Sequence, residues 1–381
     1  MPIQPGYKRI SAEDITFDIP ADYEFKAYLG NGTYGNVIHV ADSYSDGSET
    51  LAIKKMYYPF SSKVQARRLY RELRLLQLIN HDNVIRFLDI YTPDESLAKF
   101  NNVYIVTRYA GKTLQAVLEA QKKKNVIMLR SEHLQCIFYQ ILRALKYLHS
   151  ANVIHRDLKP SNIAITESNC DVTILDFGLA RTVTEPEERL TGYVVSRYYR
   201  SPEIIYWNNE NYNAKADVWS VGCIFGECLK GDVLFKGSAA SEQYRLIVDL
   251  CGGPDELLLH KIETQNSKVI RHLVEHKFGK GERKNFKEFF QSPVATPDAI
   301  DFLDKLLVLD PDRRISVTEA LEHPYLAAYH NPDEEPVTEE PFLIDDKNDE
   351  RSLMDWKTII WNDIQDCNST SHNNDEPMDV D

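Results

Sequence analysis

The chain is poor in the features that would take it into a membrane or an oxidising compartment. None of its apolar runs approaches the ~18–20 residues needed to cross a bilayer, and the mean hydropathy is −0.41. The opening stretch, MPIQPGYKRISAEDITF, has no secretory h-region. Cysteines are few and scattered: Cys136, Cys170, Cys223, Cys228, Cys251 and Cys367. None stands in a CxxC pair, and no histidines flank them at zinc spacing. These absences exclude a disulfide scaffold and a cysteine-rich zinc site, and they lead to reduced thiols in a cytosolic or nuclear protein as the expectation. Basic charge is also short. Lys and Arg number 44 against 58 Asp and Glu, a net charge of −14. That argues against a protein that grips a nucleic-acid backbone through a basic face.

The negative charge is concentrated at one end. Residues 331–381 hold 16 acidic and 3 basic side chains, whereas the first 330 residues hold 42 and 41. A near-neutral body therefore carries an acidic C-terminal stretch. With 381 residues and 43% hydrophobic side chains the body is globular, and it is too long for one simple core. The pattern along it changes once. Residues 22–60 and 84–107 are rich in β-branched and aromatic residues, with turn signals at Ser45-Asp46-Gly47-Ser48. Residues 62–79 interrupt them with a helical spacing of Val64, Leu69, Leu73, Leu76 and Ile79. After Gly111 helices dominate, over 133–150, 215–230 and 298–309. The expectation is an α+β chain of two lobes, β-rich then α-rich.

Four motifs carry chemistry. Gly30-Asn31-Gly32-Thr33-Tyr34-Gly35-Asn36-Val37 fits GxGxxGxV. A dinucleotide fingerprint would open a helix at its third glycine; here another strand follows, which makes a hairpin whose N–H groups can close over phosphates. Alone it is indistinguishable from any Gly-rich turn. Behind it come Ala52-Ile53-Lys54 on a strand and Glu72 on the helix. A strand-borne lysine can clamp phosphates, and a helix-borne carboxylate can hold its ammonium group. The most specific stretch is His155-Arg156-Asp157-Leu158-Lys159-Pro160-Ser161-Asn162, followed by Asp176-Phe177-Gly178.

Taken in this order, the motifs resemble the eukaryotic protein kinases from about Tyr23 to Tyr325. The resemblance implies a bilobal kinase fold, with an N-terminal extension over 1–21, a small lobe over 22–108 and a large lobe over 109–326. An insert falls near 254–297, a C-terminal extension over 327–367 and a disordered acidic tail over 368–381. It implies ATP and Mg²⁺. Asp157 would orient the acceptor hydroxyl and take its proton, with Lys54, Glu72 and Lys159 at the phosphates. Asn162 and Asp176 would ligate Mg²⁺ through hard oxygens. Gly30, Gly32, Tyr34, Gly35, Val37, Ala52, Lys54, Thr107, Arg108 and Ala110 would line the nucleotide site, with Thr107 as a small gatekeeper.

Thr191-Gly192-Tyr193, ahead of Ser201-Pro202-Glu203, is similar to the dual-phosphorylation lip of the stress-activated mitogen-activated protein kinases. On that resemblance phosphates on Thr191 and Tyr193 would be drawn in by Arg68, Arg71, Arg156, Arg181, Arg197 and Arg200. Substrates would carry Pro after the modified Ser or Thr. Glu203 would bridge to Arg314, and Trp356 and Trp361 would pack back on the small lobe. Asp333 and Glu334 would form an acidic docking patch. The implied partners are an upstream dual-specificity kinase, and substrates and phosphatases with basic docking motifs. A monomer in cytoplasm and nucleus is implied, with no direct nucleic-acid or membrane partner. The chain departs from the family at Thr113, where an Asp usually meets ribose, at the basic run Lys122-Lys123-Lys124, at Ser201 for Ala, and at Asn331 for an acid. The competing readings are a pseudokinase scaffold, which would keep the docking surfaces without turnover, and a cyclin-dependent type of kinase, disfavoured by the Thr-Gly-Tyr triplet and the long extension.

Overall fold

Alternation of apolar and polar residues in the first third of the chain is realised as antiparallel sheet. The structure is a computed structural model that describes residues 4–32, 34–43, 50–166, 169–182, 197–207, 213–265, 268–277, 281–346 and 350–372. The chain divides into two units. One comprises Met1–Asn80, Ile85–Tyr109 and Leu343–Asp381, and the other His81–Val84 and Ala110–Phe342.

In the first unit, β1 (Tyr7–Ala12) and β2 (Ile15–Pro20) form a hairpin. Its two-residue turn, Glu13-Asp14, has φ of 49° and 63°, the left-handed values that such a turn demands. The strands β3 (Tyr23–Gly32), β4 (Gly35–Asp42), β5 (Thr50–Met56), β6 (Phe87–Tyr91) and β7 (Tyr104–Arg108) make a five-stranded antiparallel sheet in the order β3-β4-β5-β7-β6. One face of it presents Ile38, Val40, Leu51, Ile53, Tyr104 and Val106, which join Phe17 and Ile19 of the hairpin in one core. Within the extension expected over 1–21, Ala12, Phe17 and Ile19 are thus part of this unit's core. Their alternation, Ile15-Thr16-Phe17-Asp18-Ile19, is a strand signal masked by the charged turn. Helix α1 (Lys63–Leu78) starts where the Ser62 hydroxyl accepts the Gln65 N–H at 3.2 Å.

The second unit holds β8 (Lys112–Thr113), α2 (Leu114–Lys124), α3 (Ser131–Ser150) and β9 (Val153–Ile154). The short strands β10 (Ile163–Ile165), β11 (Val172–Ile174) and β12 (Arg181–Thr182) follow, pairing as β11-β10-β8 and β12-β9. Then come α4 (Lys215–Lys230), α5 (Ala240–Cys251), α6 (Glu256–Gln265), α7 (Lys268–Lys277), α8 (Phe286–Phe289), α9 (Pro297–Leu306) and α10 (Val317–Leu321). Aromatic side chains join α3, α4 and α9: Phe138 meets Phe225 edge-on at 4.7 Å, and Phe225 meets Phe302 at 5.4 Å. Arg314 closes a two-pronged pair on Glu203, as anticipated, and both are buried.

Helix α11 (Leu353–His372) belongs to the first unit. Trp356 is fully buried against Tyr70 of α1 at 5.0 Å, and Trp361 meets Phe100 at 5.2 Å. Packing of these tryptophans in the β-rich unit was anticipated. The helix extends to His372, and the rest of the tail expected over 368–381 lies outside the described residues. Once Trp356, Ile360 and Ile364 anchor it, each added residue gains a backbone hydrogen bond without a new nucleation cost.

Candidate functional site

The glycine motif is a β-hairpin, with Gly32 opposite Gly35 and Asn31 opposite Asn36. Thr33 lies outside the described residues. Gly35 tolerates no side chain, because a Cβ there would run into the Lys55 carbonyl. Register places the rest on one face of the sheet. Val37 pairs with Lys54, and Ala52 pairs with both His39 and Thr107. Residues two apart point the same way, so Val37, His39, Ala52, Lys54 and Thr107 share the face opposite the hairpin core. Lys54 Nζ donates to Glu72 Oε1 at 2.7 Å, and the Glu72 side chain is 2% exposed. The expected Lys54–Glu72 pair is therefore formed. His39 was not anticipated; its ring stacks on Tyr109 at 4.1 Å. The strand alternation that places Val37 on this face places His39 there too. Beyond Thr107, the Arg108 N–H donates to the Arg86 carbonyl at 3.2 Å.

In the second unit, Ala110 precedes Gly111, which has φ of 92° and would place a Cβ 2.7 Å from the Ile165 carbonyl. Only glycine fits this turn. Thr113 caps α2: its hydroxyl accepts the Ala116 N–H at 3.2 Å.

The segment from His155 to Asn162 is held from below by Asp217, in the first turn of α4. Its two oxygens accept the N–H groups of His155 and Arg156, both at 2.9 Å, and His149 Nε2 lies 2.9 Å away. Burial alone would raise the Asp217 carboxyl. The hydrogen bond and charge of His149, with His155 and the Arg156 N–H, outweigh burial and hold it below the ordinary value. This anchor bends the backbone into left-handed geometry at Arg156, φ 70°, and Asp176 also sits at φ 61°. Non-glycine residues there are strained, which is common at chemically active positions. His155 accepts the Asp157 N–H on Nδ1 at 3.3 Å, so its Nε2 carries the proton donated to the Leu175 carbonyl at 2.9 Å.

Asp157 is buried at the centre of this framework. Its Oδ2 accepts Lys159 Nζ at 2.6 Å and Asn162 Nδ2 at 3.1 Å. Burial pushes its pKa up, and the nearby Lys159 charge offsets this only in part. A carboxylate so placed can orient a hydroxyl and accept its proton. The Asn162 N–H₂ group also donates to the Asp157 carbonyl at 2.8 Å, so the amide oxygen is the atom that would meet a metal. The Leu175 N–H donates to the Asn162 carbonyl at 2.9 Å, and Ile163 pairs with Ile174. This register sets Asn162 opposite Leu175, the residue before Asp176, whose Oδ1 accepts the Gly178 N–H at 3.3 Å. Among the described residues no group of three or more His, Cys, Asp or Glu could hold a metal by itself. Two hard oxygen donors suit Mg²⁺, which completes its shell with water and substrate phosphate.

The six arginines differ in situation. Arg68 covers the Tyr34 ring at 4.6 Å. Arg71 is buried and paired with the buried carboxylate of Asp346. A buried counter-ion from a distant segment leaves no local sequence signal. Arg156 and Arg200 are half-buried, Arg181 Nη1 donates to the Ala180 carbonyl at 2.8 Å, and Arg197 Nη1 donates to the Ser238 carbonyl at 2.9 Å. Thr191 and Tyr193 lie outside the described residues. Asp333 and Glu334 lie in a single turn, Pro332–Glu334, with exposed side chains. Asn331, expected to weaken the patch by replacing an acid, caps this turn by accepting the Asp333 N–H at 3.3 Å.

Comparison with known proteins agrees with this arrangement. Residues 23–326 match the protein kinase domain family. The chain is 46% identical over 368 residues to mitogen-activated protein kinase pmk-3 of Caenorhabditis elegans, covering 95% of this chain and 77% of that one. It is 44% identical over 362 residues to pmk-1 of the same organism, covering 95% and 90%. To mitogen-activated protein kinase 14 of Xenopus laevis it is 42% identical over 348 residues, covering 91% of each.

Proposed function

The chain belongs to the mitogen-activated protein kinases, in the stress-activated class of ATP-dependent Ser/Thr protein kinases, and on that premise we propose that it phosphorylates Ser-Pro and Thr-Pro sites after dual phosphorylation of Thr191 and Tyr193. The observation that carries the reading is Asp157, buried, hydrogen-bonded by Lys159 and Asn162, and seated on a backbone that Asp217 secures. In this reading Asp157 orients the acceptor hydroxyl and takes its proton. Lys159 offsets the charge that develops on the transferred phosphoryl group. Lys54, steadied by Glu72, binds ATP phosphates, and the Gly30–Gly35 hairpin offers them backbone N–H groups. Val37, Ala52 and Thr107 receive the base. Mg²⁺, when bound, neutralises phosphate charge, and Asn162 and Asp176 would hold it.

An upstream dual-specificity kinase would switch the protein on, and Arg68, Arg71, Arg156, Arg181, Arg197 and Arg200 would receive the lip phosphates. Substrates and phosphatases with basic docking segments would meet Asp333 and Glu334. The protein would act as a monomer in cytoplasm and nucleus; among the described residues no helix is long and apolar enough to cross a membrane.

The test is phosphate transfer to a Ser-Pro peptide and to its Ser-Ala counterpart, before and after treatment with a dual-specificity kinase. Activation, preference for Ser-Pro, and loss of both activation and turnover in Thr191→Ala/Tyr193→Phe and Asp157→Asn respectively are expected. Equal rates on the two peptides remove the proline rule. A wild type no faster than Asp157→Asn favours a scaffold that binds docking peptides without turnover.

A further inference from the structure

Helix α1 carries arginines at 67, 68, 71 and 74. Positions 67 and 71 are one helical turn apart and share a face. Both are buried, at 8% and 3% exposure, and both turn toward Asp346, whose side chain is fully buried. Arg71 Nη2 is in contact with Asp346 Oδ2, and Arg67 Nε lies 3.7 Å from the same oxygen. On the same helix, Tyr70 packs on Trp356, and Arg74 Nη2 donates to Asp363 Oδ1 at 2.8 Å. Asp346 and α11 thus lie against α1, and Asp346 pairs with Arg71, the residue next to Glu72.

The two kinds of contact do different things. Apolar packing of Trp356 stabilises the helix but is weakly directional, so it permits a small roll about the helix axis. A buried carboxylate facing two guanidinium groups from one turn permits much less, because a shift leaves charge buried without its counter-charge. Glu72 is the next residue after Arg71. A roll that moved Arg71 would swing Glu72 away from Lys54, where a displacement of about 1 Å is enough to cost roughly 10²-fold in rate.

We propose that Asp346 is a positioning residue for phosphoryl transfer, which through Arg67 and Arg71 sets the rotation of α1 and so keeps Glu72 on Lys54. The proposal rests on the kinase reading above, in which Lys54 binds ATP phosphates. It assigns to the stretch after the catalytic body a part in the nucleotide site, separate from docking.

The test is a double-mutant cycle on the full chain with Asp346→Asn, Glu72→Gln and the pair, read by kinetics and by titration with a fluorescent ATP analogue. Asp346→Asn should raise KM for ATP and weaken the analogue by about 10-fold, with KM for the peptide unchanged. Asp346→Glu should recover part of the loss. In the Glu72→Gln background Asp346→Asn should cost nothing further. If Asp346→Asn does not fold, Arg71→Lys keeps both charges but loses the planar fork; it should give a smaller loss that also vanishes with Glu72→Gln. Losses that multiply in the double variant, equal loss of peptide and nucleotide binding, or higher basal activity in Asp346→Asn overturn the proposal. If the wild type transfers no phosphate, the kinase reading fails by itself, and the analogue titration still decides the role of Asp346.

Discussion

Asp217 accepts the backbone N–H of Arg156 at 2.9 Å and so holds a non-glycine residue at φ 70°, one position before Asp157. Its other oxygen takes the His155 N–H and faces His149. Asp217→Ala strands these buried donors, each worth about 1–3 kcal/mol. We expect a loss of about 3 kcal/mol or more in urea unfolding and a fall in kcat of roughly 10²-fold as Asp157 drifts. Full activity in this variant would show that the strained backbone holds without its anchor.

The same carboxyl makes a pH prediction. Its folded pKa lies below the ordinary value, with burial opposed and outweighed by His149 and the loop N–H groups. A depressed acid contributes stability above its unfolded pKa, near ~4. That contribution is lost as pH falls through the lower folded value. The stability gap between wild type and Asp217→Asn should therefore be constant above about pH 5 and close below it. Asp157 shifts the other way, raised mainly by burial. The acid limb of kcat/KM should lie above that of an unperturbed aspartate and disappear from the residual activity of Asp157→Asn.

Arg314 donates to both oxygens of Glu203, at 2.8 and 2.9 Å, and also to the carbonyls of Val308, Lys215 and Leu309. Truncating one member leaves a buried charge, so Arg314→Ala should cost about 3–5 kcal/mol by chemical denaturation. Glu203→Gln, which keeps the shape, should cost less. The order of the two variants is the informative readout.

Motifs with fixed spacing were legible because local chemistry dictates them: the Gly30–Gly35 hairpin, Lys54 on its strand, and the run from His155 to Asn162. The core helices were legible from period alone, as α4 over Lys215–Lys230 illustrates. Three features were not. The β1–β2 hairpin turns through Glu13-Asp14 without glycine, so its punctuation is hidden. Asp217 reads as a first-turn helix acid, and only the fold brings it under Arg156. Asp346 reads as one acid of an acidic stretch, and its pairing with Arg71 spans 275 positions, a separation at which side-chain pattern carries no information.

Thr113 is a cap by geometry. Its hydroxyl accepts the Ala116 N–H at 3.2 Å at the start of α2. Thr113→Val should lower stability by about 1 kcal/mol, with KM for ATP nearly unchanged. Thr113→Asp retains a capping oxygen and restores the family's residue. If its KM for ATP falls while its stability matches wild type, the departure at this position is a nucleotide-affinity setting as well as a cap.

The docking prediction turns on which acids are structural. Arg143 Nε donates to the Glu334 carbonyl, Lys146 pairs with Glu335 at 2.9 Å, and His330 meets Glu335 at 2.7 Å. These contacts pin the turn to α3 through its backbone and through Glu335, which is buried. The Asp333 and Glu334 side chains stay exposed. Reversing both to Lys should therefore leave the melting temperature near wild type. It should weaken a basic docking peptide by about 10-fold at low salt, less at high salt, because exposed charges act mainly through a screened field. Turnover of a short peptide without a docking segment should not change. Glu335→Gln is the opposite case: it leaves Lys146 and His330 without their buried partner and should lower the melting temperature. If the double reversal lowers stability and short-peptide turnover together, the two exposed acids belong to the fold and not to partner recognition.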